Sequence, residues 1–174
     1  SKKKEHNRDD VERESTKEDS TILRSGKLII DATCLPADIA YPTDIGLLNK
    51  GREHLENVID ILYKATGKKT KKPRTYRKNA RKIFLGFIKK KKPNKKVIHD
   101  TLRKQLGFVN RDLGYISEYV KNNITILQHL KRSDYKKLLV VNELFKQQQE
   151  MFVEKKHSVK DRIVSISQPH VRPI

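Results

Sequence analysis

The amino-acid sequence predicts a mainly α chain of α+β class, a block of four helices bracketed by two short strands. Three observations predict it. Apolar residues recur at helical spacing through most of residues 44–157. Leu28 to Ile30 is a continuous apolar run of strand-forming residues ending on an acidic one, and Ile163, Val164 and Ile166 read as a second strand leaving the helical block. Hydrophobic and charged residues each make up 35% of the 174 residues, so the core has to be assembled from amphipathic faces and not from fully apolar layers.

In chain order, Ser1 to Ser25 mixes basic and acidic residues with few apolar ones and reads as a flexible charged linker. Leu28, Ile29 and Ile30 then form a strand that ends on Asp31, where a rigid element would hold a carboxylate at the edge of a cleft. Pro36 and Pro42 force an extended path, and Thr43 or Asp44 caps a helix that runs to about Lys64 and ends at Gly67. Its face is Leu48, Leu55, Val58, Ile59 and Leu62. Pro73 and Thr75 open a second helix, from Tyr76 to about Lys90, with Tyr76, Ala80, Ile83, Phe84 and Phe87 as the apolar stripe. Pro93 and Asn94 break the chain and cap a third helix, whose Ile98, Leu102, Leu106, Val109, Leu113, Ile116 and Val120 form a packing seam. That seam serves either packing within the block, the favoured reading, or self-association. Ser133 caps a fourth helix, Asp134 to about Lys155, with Leu138, Val141, Phe145, Gln148 and Phe152 on one side. Ile163, Val164 and Ile166 form the second strand.

Charge narrows the function. The formal net charge is +19, and between residues 64 and 96 stand sixteen Lys or Arg with no Asp or Glu. An acid-free run of that length points to a polyanion, nucleic acid before an anionic membrane surface. Lys68, Lys69, Lys71, Lys72, Lys78, Lys82 and Lys89 to Lys92 (Lys89, Lys90, Lys91, Lys92) suit backbone tracking. Arg74, Arg77 and Arg81, spaced three and four apart, would line a helix face and grip phosphates bidentately. Tyr76 among them reads either as a core residue, the favoured reading, or as a ring stacked on a frayed base.

Other chemistries find little support. No stretch approaches the roughly 18 apolar residues that a membrane span needs, and no signal peptide opens the chain, so a cytoplasmic, nucleoid-associated setting is expected. The single Cys34 cannot make an internal disulfide or a zinc site. No Gly-rich phosphate loop, paired-Cys motif or nucleophile elbow is present. His54, His99 and His129 fall on helices without a second metal ligand at a suitable spacing. Asp38 reads as a turn residue, Asp44 as a helix start and Asp161 as a cap or ion-pair partner, while His170 and Arg172 divide evenly between structural and substrate-facing roles.

Residues Asp31 to Glu53, D-A-T-C-L-P-A-D-I-A-Y-P-T-D-I-G-L-L-N-K-G-R-E, together with K-P-R-T-Y-R from Lys72 and R-I-V-S-I-S-Q-P-H-V-R-P from Arg162, resemble the DDE-type transposases of bacterial insertion sequences. The resemblance covers the chain from about Lys27 onward. It implies a partial ribonuclease-H-like catalytic domain over residues 26–174, with a helical insertion at about 44–157, and a linker before it. It also implies a two-metal centre of Mg²⁺ or Mn²⁺ in the complete enzyme, for which Asp31 matches the first of three acidic ligands. The second Asp and the Glu would lie beyond Ile174, so the chain is expected to be a piece, inactive alone but DNA-binding. Implied partners are transposon-end and target DNA and a second copy or a full-length transposase. The alternative is a non-enzymatic basic helical nucleic-acid-binding module, or a truncated regulator of transposition.

Overall fold

The computed structural model describes residues 43–68 and 71–171. They are mainly helical, and no strand occurs among them. Four helices follow in order: α1 Asp44–Ala65, α2 Arg77–Ile88, α3 Lys95–Asn122 and α4 Arg132–Glu154, with a 3-10 helix, Ile124–His129, between α3 and α4. The predicted first strand, Leu28 to Asp31, lies outside the described residues, as do Cys34, Asp38, Lys69 and Arg172.

Local chemistry sets most of the boundaries. Thr43 caps α1, its Oγ1 accepting from the Gly46 N–H at 3.1 Å, and Asp44 puts a carboxylate against the positive end of the helix. Gly67 closes that helix at a φ of 67°, where a side chain would be strained. Asn94 caps α3, its Oδ1 accepting from the Val97 N–H at 2.8 Å. The N-cap of α4 is Lys131 and not Ser133, because the Lys131 carbonyl already receives the Asp134 and Tyr135 N–H groups.

One core joins α1, α3, α4 and the 3-10 helix. Leu48, Leu55, Val58, Ile59 and Leu62 of α1 meet Leu106, Val109 and Ile116 of α3, Ile126 of the 3-10 helix and Leu130 just after it, and Leu138 and Val141 of α4. The α3 seam is thus consumed within the block, as favoured from the sequence, although Ile98 at its start stays 40% exposed. Gly51 is buried where α1 meets α4, and a Cβ there would stand 3.1 Å from Val141 Cγ1, so glycine permits that approach. Helix α2 packs on α1 and α3 through Ala80, which is fully buried, with Ile83, Phe84 and Phe87 half-buried.

The second predicted strand is a correction. Residues 162–166 form no β-ladder. Their polar groups are taken up otherwise: the Ile163 N–H donates to Gln147 Oε1 at 2.9 Å, and the Ile163 side chain is buried with Leu47 and Leu144. Arg162 pairs with Asp44, to which Gln148 Nε2 also donates at 2.8 Å, so the segment after α4 is tied back to the start of α1. No described helix is long and apolar enough to cross a membrane.

Candidate nucleic-acid interface

The basic stretch is divided by the fold between cations that hold the structure and cations that face outward. Beyond Gly67 the chain leaves α1 and returns along it as an irregular segment before α2. Asp60 of α1 anchors this return. Arg77 donates to Asp60 through Nη1 at 2.9 Å and Nη2 at 3.0 Å, and Lys72 Nζ approaches the same carboxylate at 2.7 Å. Arg77 also donates to the Glu56 carbonyl at 3.2 Å and to Thr75 Oγ1 at 3.2 Å. Burial acts to raise the Asp60 carboxyl, but the hydrogen bonds from Arg77 and Lys72 outweigh it and hold the group below the ordinary carboxylate range. The Arg77 guanidinium is pushed up in turn, chiefly by its hydrogen bonds to Asp60.

Arg77 and Lys72 are therefore committed to carboxylates. The expected Arg74, Arg77, Arg81 helix face does not form, because Arg74 lies in the irregular segment and a left-handed residue at position 76 breaks the register before α2 begins. What remains outward is Lys68, Lys71 and Arg74 ahead of α2, Lys78, Arg81 and Lys82 on its outer face, and Lys89 to Lys92 beyond its end. Each is exposed, and none forms an ion pair among the described residues.

Tyr76 departs from its favoured reading as a core residue: it is 49% exposed. Its φ of 52° and ψ of 27° are left-handed, with no side-chain cap, a conformation that costs a bulky residue about 1–2 kcal/mol. The Arg111 guanidinium of α3 lies 4.8 Å from the Tyr76 ring centroid and 5.5 Å from that of Phe108. Tyr115, also of α3, donates from its hydroxyl to the Arg74 carbonyl at 3.5 Å.

Behind this surface, α1 and α3 enclose a polar cluster invisible in the periodicity. Arg52 and Glu56 pair while almost fully buried, and Arg52 Nη2 donates to Asn49 Oδ1 at 2.8 Å. Burial pushes the Glu56 carboxyl up even with Arg52 beside it. Asp112 and Gln105 of α3 are fully buried, and no described group hydrogen-bonds either carboxylate oxygen of Asp112. Burial, then the charge of Glu56, push Asp112 up to about 7. A raised carboxyl holds its proton more tightly in the folded state, so its stabilising contribution is full below the unfolded value near 3.8 and is lost as pH rises through about 7. Asp112→Asn should therefore stabilise the chain at pH ~8 by about 1–3 kcal/mol and flatten the fall in stability between pH ~4 and ~7, as read by urea midpoints across that range.

The remaining candidates are structural or outside the described residues. Asp31, the predicted metal ligand, lies outside them. Among the described residues no three His, Cys, Asp or Glu side chains gather as they would around a metal ion. Glu56 and Asp60, which share Arg77, are already occupied by Arg52, Arg77 and Lys72. His54 Nε2 donates to the Asp134 carbonyl at 3.0 Å and His99 stacks on Phe152 at 4.6 Å, while His129 and His170 are exposed. Asp44 holds the returning tail, and the Asp161 carbonyl accepts from Gln147 at 3.3 Å. No family model, curated protein or solved structure matches this chain.

Proposed function

We propose that this chain is a DNA-contacting piece of a DDE-type transposase, binding the phosphate backbone through the exposed cations around α2. The observation that carries the reading is the division of the basic stretch: two cations fold the segment against Asp60, and the other described ones stand exposed with no acidic residue between positions 61 and 99 to neutralise them. Cations gathered this densely repel one another, and phosphates relieve that repulsion while releasing their own counterions. In the complete enzyme, Asp31 with two acidic residues from outside this chain would hold Mg²⁺ or Mn²⁺, which supplies the Lewis acidity for cleavage and strand transfer. The residues of this chain position DNA and do not by themselves make up that centre.

Binding of transposon-end duplex, followed by fluorescence anisotropy between about 50 and 200 mM salt, tests the interface. With six or more phosphates contacted, affinity is expected to fall by at least about 10³ over that range. A salt-independent affinity, or none at the lowest salt, would refute it. The second reading, a non-enzymatic binding module or a truncated regulator, is favoured by a core that α1, α3 and α4 complete among themselves. Nicking of the end duplex with Mg²⁺ or Mn²⁺, abolished by Asp31→Asn, would exclude that second reading.

A further inference from the structure

The Tyr76 ring is placed by three independent features. Its left-handed backbone turns the chain into α2 without carrying the ring inward, so nearly half of the residue stays exposed. The Arg111 guanidinium approaches two aromatic rings, at 4.8 Å from Tyr76 and 5.5 Å from the almost buried Phe108, so the exposed ring is backed by a cation rooted in α3. Arg74 and Lys78, two residues to either side, are both exposed. A rigid aromatic plane with a cation behind it and cations beside it has the attributes of a surface on which a base stacks while its phosphates are neutralised. Packing does not explain the arrangement, because an aromatic residue placed for the core would be buried and would avoid this backbone conformation.

We propose that Tyr76 is a stacking platform for an unpaired nucleobase, so that this chain prefers nucleic acid with a single-stranded or frayed end over fully paired duplex. The proposal rests on the reading of the basic stretch as a nucleic-acid interface and adds which structural form of the polymer is bound. Stacking addresses the face of the base and not the sugar, so an unpaired DNA strand and an RNA strand offer the same chemistry.

Three probes test it on the full chain: a blunt duplex, the same duplex with a short overhang carrying 2-aminopurine, and an RNA strand with the overhang sequence and the same label. The chain contains no Trp, which keeps the spectroscopic background low. The overhang duplex is expected to bind about tenfold more tightly than the blunt one, with quenching of 2-aminopurine. Tyr76→Phe should retain both effects. Tyr76→Gly should abolish the quenching and the tenfold preference, so that the overhang and blunt duplexes bind it alike. Its thermal midpoint should not fall, because glycine accepts the left-handed backbone, and this separates loss of stacking from loss of fold. Equal quenching of the RNA strand would assign the platform to unpaired bases of either polymer, and a response confined to DNA would assign it to frayed DNA. Unchanged quenching and preference in Tyr76→Gly would overturn the proposal while leaving the duplex interface standing. Failure of the native chain to bind any of the three probes at low salt would overturn both.

Discussion

Replacing Lys89, Lys90, Lys91 and Lys92 together by Gln is expected to lower duplex-DNA affinity about 10³- to 10⁴-fold near 0.1 M salt and to reduce the salt slope by roughly 3 to 4. All four side chains are exposed beyond the C-terminal end of α2 and none is held by a carboxylate among the described residues. Each phosphate they neutralise releases condensed counterion, which contributes about 0.9 to the slope and about a factor of ten in affinity near 0.1 M salt. The cations also favour the negative end of α2, so a loss of a few tenths of a kcal/mol in stability should accompany the change. Anisotropy titrations at several salt concentrations give both quantities. The matched control removes the same charge elsewhere, from Lys121, Lys136, Lys137 and Lys155. It should lower affinity far less, because net charge steers encounter but does not replace contact.

Arg52→Ala is expected to destabilise the chain by about 3–5 kcal/mol, the largest effect foreseen for one substitution. The guanidinium is 1% exposed, and its removal would leave Glu56 buried with no partner but the more distant Arg77 Nε, 3.7 Å away. Burial already raises Glu56 in the intact protein, so the orphaned carboxyl would take up a proton at still higher pH. The double change Arg52→Met with Glu56→Leu should recover most of the loss, because it removes both charges and fills a similar volume. Urea midpoints of the two variants decide this. Because Glu56 and Asp60 together anchor Arg77, Arg52→Ala should also loosen the segment that leads into α2, seen as faster exchange of the Ala80 amide, which donates to the Tyr76 carbonyl at 3.0 Å.

The helices were legible in the sequence because their signals are local. Thr43 with Asp44, Gly67 and Asn94 each act within one turn, and the 4-4-3-4-3-4 seam of α3 can be buried on only one face. What was not legible depends on partners far along the chain. Asn49, Arg52 and Glu56 stand outside the apolar face that spacing gives α1, yet they are buried, Arg52 and Glu56 beside Asp112 of α3, about fifty residues later. Ile163, Val164 and Ile166 have the composition of a strand, but Gln147 takes the Ile163 N–H and an apolar recess beside Leu47 and Leu144 takes its side chain. Tyr76 fits the stripe of α2 by spacing, yet it precedes the first helical residue, so its left-handed backbone removes it from that face. Within the basic stretch, the sequence showed the density of charge but not which cations would be spent on Asp60, since that carboxylate belongs to the preceding helix.

The central claim is that DNA is held by the outward cations around α2 and not by positive charge at large. Lysine acylation of the full chain, read residue by residue with and without duplex DNA, tests it most directly. Protection of Lys78, Lys82 and Lys89 to Lys92, with Lys136, Lys137 and Lys155 of the α4 region left reactive, is the predicted result. Even protection across the surface, or protection concentrated on α4, would contradict it.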